Sequence, residues 1–395
     1  MLRGITGTLS LWLAGALALR ALVVPGETCP PVSSASAATA TSEAALWMDR
    51  ALQDDGTYLY EYDAGKDRNT PEYNVVRHAG VTMALYMLAA SGDRSGMATA
   101  DRAMTWMRES LYSSGDRAAF QSPYDNSIEL GATALMLAGL EQRRLATGDA
   151  QYDELMHRLA RFLLAMQQPD GSMLSEWQIA RGAPYAGIRS KYGTGEAFWA
   201  LTVMHRLFPG EGWDQKARLT ADYLSLHRDR VEQQKYPPWA DQWAAYGLAE
   251  MADWPLNDDN IRYARSLADR FGFLMRVEAQ RTDGWLSELV HGRKARAAGM
   301  GTWVEGLGSL WRLASADPRM ADMRQKIGER AVCGAGMLAS RQVSQSQAGQ
   351  YVRPGIARGA WFTEGVTRMD DQQHALSALV RIQAVIDARN SEAGR

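Results

Sequence analysis

At six points along the 395-residue chain, charged and aromatic residues stand where a long apolar stretch begins. Arg77 and His78 follow Asn74, Glu129 follows Asp125 and Asn126, and Glu196 follows Tyr192 and Thr194. Asp241 follows Trp239, Glu305 follows Thr302 and Trp303, and Asp371 and His374 follow Met369 and Asp370. Carboxyl groups and imidazoles are the side chains that move protons near neutral pH. Two carboxyls flanking one bond act as acid on one side and as base or nucleophile on the other. Glu129, Glu305 and Asp371 are the candidates for that work, since their segments hold little else for a charge to satisfy. His78 and His374 make a second candidate acid/base pair. Asp371 and His374, three residues apart, share a helix face. Each histidine has a plainer reading as a satisfied core residue, and Arg77 has one as the partner of Asp371 in a structural ion pair.

Around these groups stand side chains suited to holding a hydroxyl-rich ligand. They are Arg77, Tyr124, Tyr192, Glu196, Trp239, Asp241, Trp303, Trp361 and Glu364, with rim packing or helix capping as the alternative for each. The chain has thirteen Trp and fifteen Tyr against seven Phe, a bias toward aromatics with a polar handle. His78, Asp371 and His374 form no tight metal-ligand motif, so neither a metal nor another cofactor is expected.

The elements that must position these residues are helices in strict alternation. Stretches near 74–90, 126–146, 194–208, 239–252, 302–314 and 370–388 are apolar on nearly all faces, as buried helices are. Between them run amphipathic stretches, such as Tyr152 to Met166 with Leu155, Met156, Leu159, Phe162 and Leu163 on one side. Asp125 or Asn126, Thr194, Thr302 and Asp370 are the expected caps of the buried set. Six such pairs predict a ring of helical hairpins, because each hairpin needs neighbours to cover its apolar face. Gln53 with Asp55-Gly56, Gln168 with Asp170-Gly171, and Gln280 with Asp283-Gly284 mark recurring turns. Tyr58 to Tyr62, just past the first of these turns, alternates as a strand does, so short β ribbons are expected on one rim.

The net charge of −2 and the lack of a basic stripe exclude a nucleic-acid footprint. Residues 1–26 read as a secretory signal peptide or signal anchor, with Arg3 ahead of an apolar run and Pro25-Gly26 behind it. Residues 27–42 read as a Ser/Ala-rich linker, and residues 43–395 as one domain. Periplasmic or secreted location is the expectation, with the N-terminal segment anchoring the chain if it is retained. Cys29 and Cys333 are too few for a disulfide scaffold, and a single bridge between them stays open.

With its paired helices, its turns, and an inner segment such as Gly193 to Leu201, the chain resembles the α/α toroid superfamily over about residues 43–390. That group holds glycoside hydrolases, polysaccharide lyases and sugar epimerases, and no single family's signature is matched. The resemblance implies an all-α (α/α)6 toroid whose inner helices begin at a shared mouth. Together with the signal-like N-terminus, it implies an exported enzyme acting on an oligo- or polysaccharide, a glycoside hydrolase in the first place. An epimerase or lyase using His or Tyr with Arg77, and a non-catalytic glycan-binding toroid in surface assembly, are the alternatives.

Overall fold

The computed structural model describes residues 2–23, 25–234 and 239–393. Twelve of its helices build two concentric layers in six consecutive pairs. These are α1 (Ser34–Ala51) with α2 (Val75–Ala90), α3 (Met97–Glu109) with α4 (Leu130–Thr147), and α5 (Asp153–Met166) with α6 (Gly193–Leu207). The rest are α7 (Trp213–Asp222) with α8 (Gln242–Glu250), α9 (Asp258–Ala279) with α10 (Ala297–Ala316), and α11 (Arg324–Arg341) with α12 (Met369–Ala393). Even-numbered helices are inner: each packs on the next, and α12 returns to α2, which closes the ring. Odd-numbered helices lie outside. On α5 the buried residues Met156, Leu159, Ala160, Phe162, Leu163 and Met166 follow a helical stripe. On α2 every residue from His78 to Ala89 is buried, as a helix between two layers requires. The layers share one apolar core, so truncating a residue such as Phe162 costs about 3–5 kcal/mol.

Short ribbons surround the mouth where the inner helices start. They are β1 (Glu61–Asp63), β2 (Arg68–Asn69), β3 (Leu111–Ser114), β4 (Arg117–Phe120), β5 (Trp177–Gln178), β6 (Ala183–Pro184) and β7 (Val366–Arg368). All pairings are antiparallel: β3 with β4, β5 with β6, and β1 between β2 and β7. Tyr62 sits opposite both Asn69 and Thr367, so the sheet ties the first unit to the last. Two of the expected turns are alike. Asp55 and Asp170 each accept from the backbone N–H and hydroxyl two residues on, ahead of which Gly56 and Gly171 take positive φ. The third departs from them: Gly284 has φ −79° and leads into a helix, Trp285–His291.

Several expectations are corrected by this arrangement. Helix α1 starts at Ser34 with a capping box between Ser33 and Ser36, so the second half of the expected linker is helix, with Ala37, Ala40 and Thr41 buried. Ahead of it, Cys29 is bonded to Cys333 of α11, and Thr28 N–H donates to the Ala279 carbonyl. Helix α10 begins five residues before the expected point, and the Thr302 hydroxyl donates to Gly299 inside it. Asn74 and Asp241 cap their helices, accepting from Arg77 N–H and Ala244 N–H. The expected caps do not: Glu129, Tyr192 and Arg296 stand at the starts of α4, α6 and α10 and none caps with its own side chain, and Asp370 lies within the first turn of α12. Among the described residues, no helix is long and apolar enough to cross a membrane.

Glycine sets how closely α10 and α12 cross. A Cβ at Gly301 would lie 2.5 Å from the backbone carbonyl carbon of His374. Gly301→Ala is therefore expected to destabilise the fold by about 1–3 kcal/mol through overpacking, measured by urea unfolding.

Candidate functional site

The starts of the inner helices enclose a pit of about 410 Å³. Its wall takes Arg77 from α2, Glu129 from the start of α4, Tyr192 and Glu196 from α6, and Gln242 and Trp243 from α8. Gly299 and Thr302 of α10 and Asp370, Gln373 and His374 of α12 complete the circle. Residues distant in sequence meet here because α12 closes on α2.

Glu196 lies in the first turn of α6 and is 4% exposed. Its carboxyl lies against Gly131 of α4, where a Cβ would meet Glu196 Oε2 and shift it. Burial, then the charges of Asp241 and Glu129, pushes the Glu196 carboxyl up to about 8, so it keeps its proton at neutral pH. Glu129 is raised too, by burial first and then by the charges of Asp125 and Glu176. Across the ring, Asp370 is held by Arg77 at 3.3 Å and by Arg368 at 3.1 Å. The Arg77 guanidinium also donates to the Tyr60 hydroxyl. Arg77 thus closes the ring as the sequence allowed, but on Asp370 and not on Asp371.

His374 reaches the pit with 14% of its side chain exposed, and its Nδ1 lies 3.0 Å from Oε2 of the fully buried Glu305. Burial pulls the imidazole down, yet the Glu305 charge and hydrogen bond outweigh it and leave its pKa raised. Glu305 itself does not line the pit, because α10 starts early and carries it down into the core.

The remaining expected residues stand elsewhere. Asp371 is fully buried, bound by Arg296 at 2.5 Å and by the Ala298 N–H at 3.0 Å, so it caps α10 and does not face the pit. His78 is also fully buried. Its Nδ1 meets the Tyr73 hydroxyl at 2.6 Å, its Nε2 the Ala103 carbonyl at 3.2 Å, and its ring lies 4.4 Å from Trp106. Burial pushes it down to about 3, which keeps it neutral. The pairing of His78 with His374 at one mouth is thus overturned. Asp241 is buried against Arg228, which directly follows a π-helical turn (Tyr223–His227) after α7. Trp361 is buried with its indole N–H on the Leu338 carbonyl, and Trp303 packs on the core. Glu364 pairs with Arg293 on a separate exposed surface. Tyr124 lies beside Tyr73, outside the pit wall, and Trp239 stands behind Tyr192 with ring centres 5.4 Å apart.

Sequence reasoning passes over Asp370, Gln242, Gln373 and Trp243. Each lies within two positions of a candidate residue, and a shift of one or two positions along the helix exchanges the pit wall for the core. Oε1 of Gln242 and Nε2 of Gln373 are buried without a hydrogen-bond partner. Such atoms fit a ligand rich in hydroxyls. Among the described residues, no three His, Cys, Asp or Glu side chains are grouped to hold a metal ion.

No known family profile matches the chain, and no curated protein does. Solved structures do. An unsaturated glucuronyl hydrolase specific for heparin matches at TM-score 0.62 and 15% identity, over 89% of this chain and 98% of that one. Cellobiose 2-epimerase from Spirochaeta thermophila matches at TM-score 0.60 and 14% identity, over 90% and 98%. A family GH76 α-mannanase of Bacteroides thetaiotaomicron matches at TM-score 0.58 and 10% identity, over 90% and 97%. The shared property is the (α/α)6 toroid fold, and fold alone does not choose an activity.

The Glu196 proton has a consequence for stability. Its folded pKa lies above the ordinary value of 4.5, so between pH 4.5 and 8 the folded chain holds a proton that the unfolded chain releases. Stability from this group is full below that window and falls as pH rises through it. Glu196→Gln is therefore expected to gain thermal stability relative to the parent from pH 5 to pH 8, with no further gain above, as read by melting curves.

Proposed function

We propose that this chain is an exported carbohydrate-active hydrolase that cleaves a glycosidic bond held across the pit. The observation that carries the reading is a buried carboxyl, Glu196, on one wall of a sugar-sized cavity and an ion-paired carboxylate, Asp370, on the opposite wall, with burial raising the pKa of the first to about 8. Helices α6 and α12 stand three places apart in a ring of six inner helices, so Glu196 and Asp370 approach the bond from opposed sides. Glu196 gives its proton to the leaving oxygen as the bond to the anomeric carbon breaks. Asp370, oriented by Arg77 and Arg368, takes a proton from the water that attacks that carbon. Tyr192 and Trp243 offer flat faces to the sugar, and Gln242 and Gln373 offer amides to its hydroxyls. The neighbours in fold, which include a mannanase, a glucuronyl hydrolase and a cellobiose epimerase, support the substrate class.

The Cys29–Cys333 bond supports the compartment, since disulfides persist where the surroundings are oxidising. The charged start and apolar run at the N-terminus agree with export, as a cleaved signal or as an anchor.

A second reading draws on the His374–Glu305 pair. An imidazole backed by a carboxylate is suited to moving a proton at a sugar carbon, as an epimerase must. The two readings differ in product. Hydrolysis yields new reducing ends, whereas epimerisation incorporates solvent deuterium without cutting the chain.

Mass spectrometry of products from neutral, acidic and amino glycans makes the test. Glu196→Gln and Asp370→Asn are each expected to lower turnover by about 10²–10⁴-fold. Turnover of the parent should also decline as pH rises through about 8, where Glu196 loses its proton. A Glu196→Gln protein that cuts at the parental rate would sink the hydrolytic reading. His78→Leu should leave turnover per folded molecule unchanged. It should cost about 1–3 kcal/mol in urea unfolding, because the Tyr73 hydroxyl and Ala103 carbonyl lose their partner.

A further inference from the structure

On the α4 side of the mouth, Glu129 has two further carboxylates on adjacent segments, Glu176 and Asp125, and none of the three forms an ion pair among the described residues. Glu129 is bridged through its backbone to Glu176, which places two like charges side by side on adjacent segments. Asp125, in the loop just ahead, uses one oxygen on the N–H and hydroxyl of Ser127. Asp125 and Glu176 are the charges that act on Glu129, and both are negative. Deeper in the same sector Glu196 is 4% exposed, has no hydrogen-bond or ion-pair partner among the described residues, and faces the pit.

Three cations on the flanking helices and loops are engaged elsewhere. Arg77 is taken by Asp370, Arg228 by Asp241, and the Lys191 ammonium lies 4.7 Å above the Trp239 ring. Like charges directly opposite on paired segments repel, and a cation placed between them relieves that repulsion. No three ligating side chains are grouped for a metal among the described residues. A substituted ammonium, with several N–H donors and one charge, suits separate carboxylates at a rim.

We propose that Glu129, Glu176 and Asp125 recognise the ammonium of an amino sugar, so that the glycan entering the pit carries free amines. This rests on the reading of the pit as a carbohydrate site. It does not require that the bound chain be cut. N-acetylation removes the charge that the three carboxylates attract, and a uronate brings a fourth negative charge into their sector.

The test uses the full chain with Glu196→Gln, which keeps position 196 uncharged as it is at neutral pH. Calorimetric titration at pH 7 compares glucosamine and galactosamine oligomers with their N-acetylated forms and with glucuronate oligomers of equal length. The amine series is expected to bind about tenfold or more tightly than the other two, with a preference that shrinks in 0.5 M salt. Adding Glu176→Gln or Asp125→Asn should weaken the amine series severalfold and leave the N-acetylated series unchanged. Equal or tighter binding of N-acetylated or uronate oligomers overturns the inference. So does failure of the amine series to bind, or its indifference to both rim substitutions. Tight amine binding without cleavage by the parent protein upholds this inference while sinking hydrolysis. Cleavage of neutral glycans with no amine preference does the reverse.

Discussion

The ion pair between Arg77 and Asp370 joins the first inner helix to the last, and the pit exists because that seam is closed. Without it α2 and α12 would each present an apolar flank to water, and the wall would lack one side. The seam is reinforced at two depths. Strand β1 pairs with β7 above it, and Arg368 adds a second cation to Asp370 within it. The next seam is sealed by Asp371, which binds Arg296 and the Ala298 N–H of α10. Two adjacent acidic residues thus fasten the last helix to both of its neighbours. Only Asp370 keeps contact with the cavity.

Charge in the pit is arranged by sector. On the α12 side every acid has a cationic or imidazole partner: Asp370 has Arg77 and Arg368, and Glu305 has His374. On the α4 and α6 side Glu129 and Glu196 have none among the described residues, and the charges that reach them are negative. Burial raises the free energy of an unpaired carboxylate, so the more enclosed of the two, Glu196, keeps its proton. One wall therefore offers a proton donor and the opposite wall offers an anion already oriented. That separation of protonation states is the physical basis for acid/base chemistry on a bond lying between them.

The two histidines show how little residue type alone decides. His78 and His374 both lie near the start of an inner helix. His78 packs against the Trp106 ring and meets the Tyr73 hydroxyl, where burial strips its charge. His374 has Glu305 below it and the cavity beside it, so the same burial is offset and its pKa rises. Glu305 itself is carried out of the pit by the early start of α10, which adds a turn of helix before it.

Much of this architecture is legible in the chain. Apolar residues on all faces, alternating with single apolar stripes, are a local property of the sequence, and six repeats of that pattern imply a ring with a polar mouth. The Asp55-Gly56 and Asp170-Gly171 turns are legible for the same reason, because Asx turns and positive φ are local requirements. Arg77, Glu129, Tyr192, Glu196 and His374, all expected at the mouth, do line it. The choice of Asp371 over Asp370, of Glu305 as a pit acid, and of His78 as a partner fails at a finer scale. One residue along a helix turns a side chain by about 100°, and only the packing of α12 between α2 and α10 fixes which of two neighbouring acids meets the cavity. Helical periodicity, a local matter, belongs to the sequence. Protonation, pairing and exposure depend on groups hundreds of residues away, and ring closure alone brings those groups together.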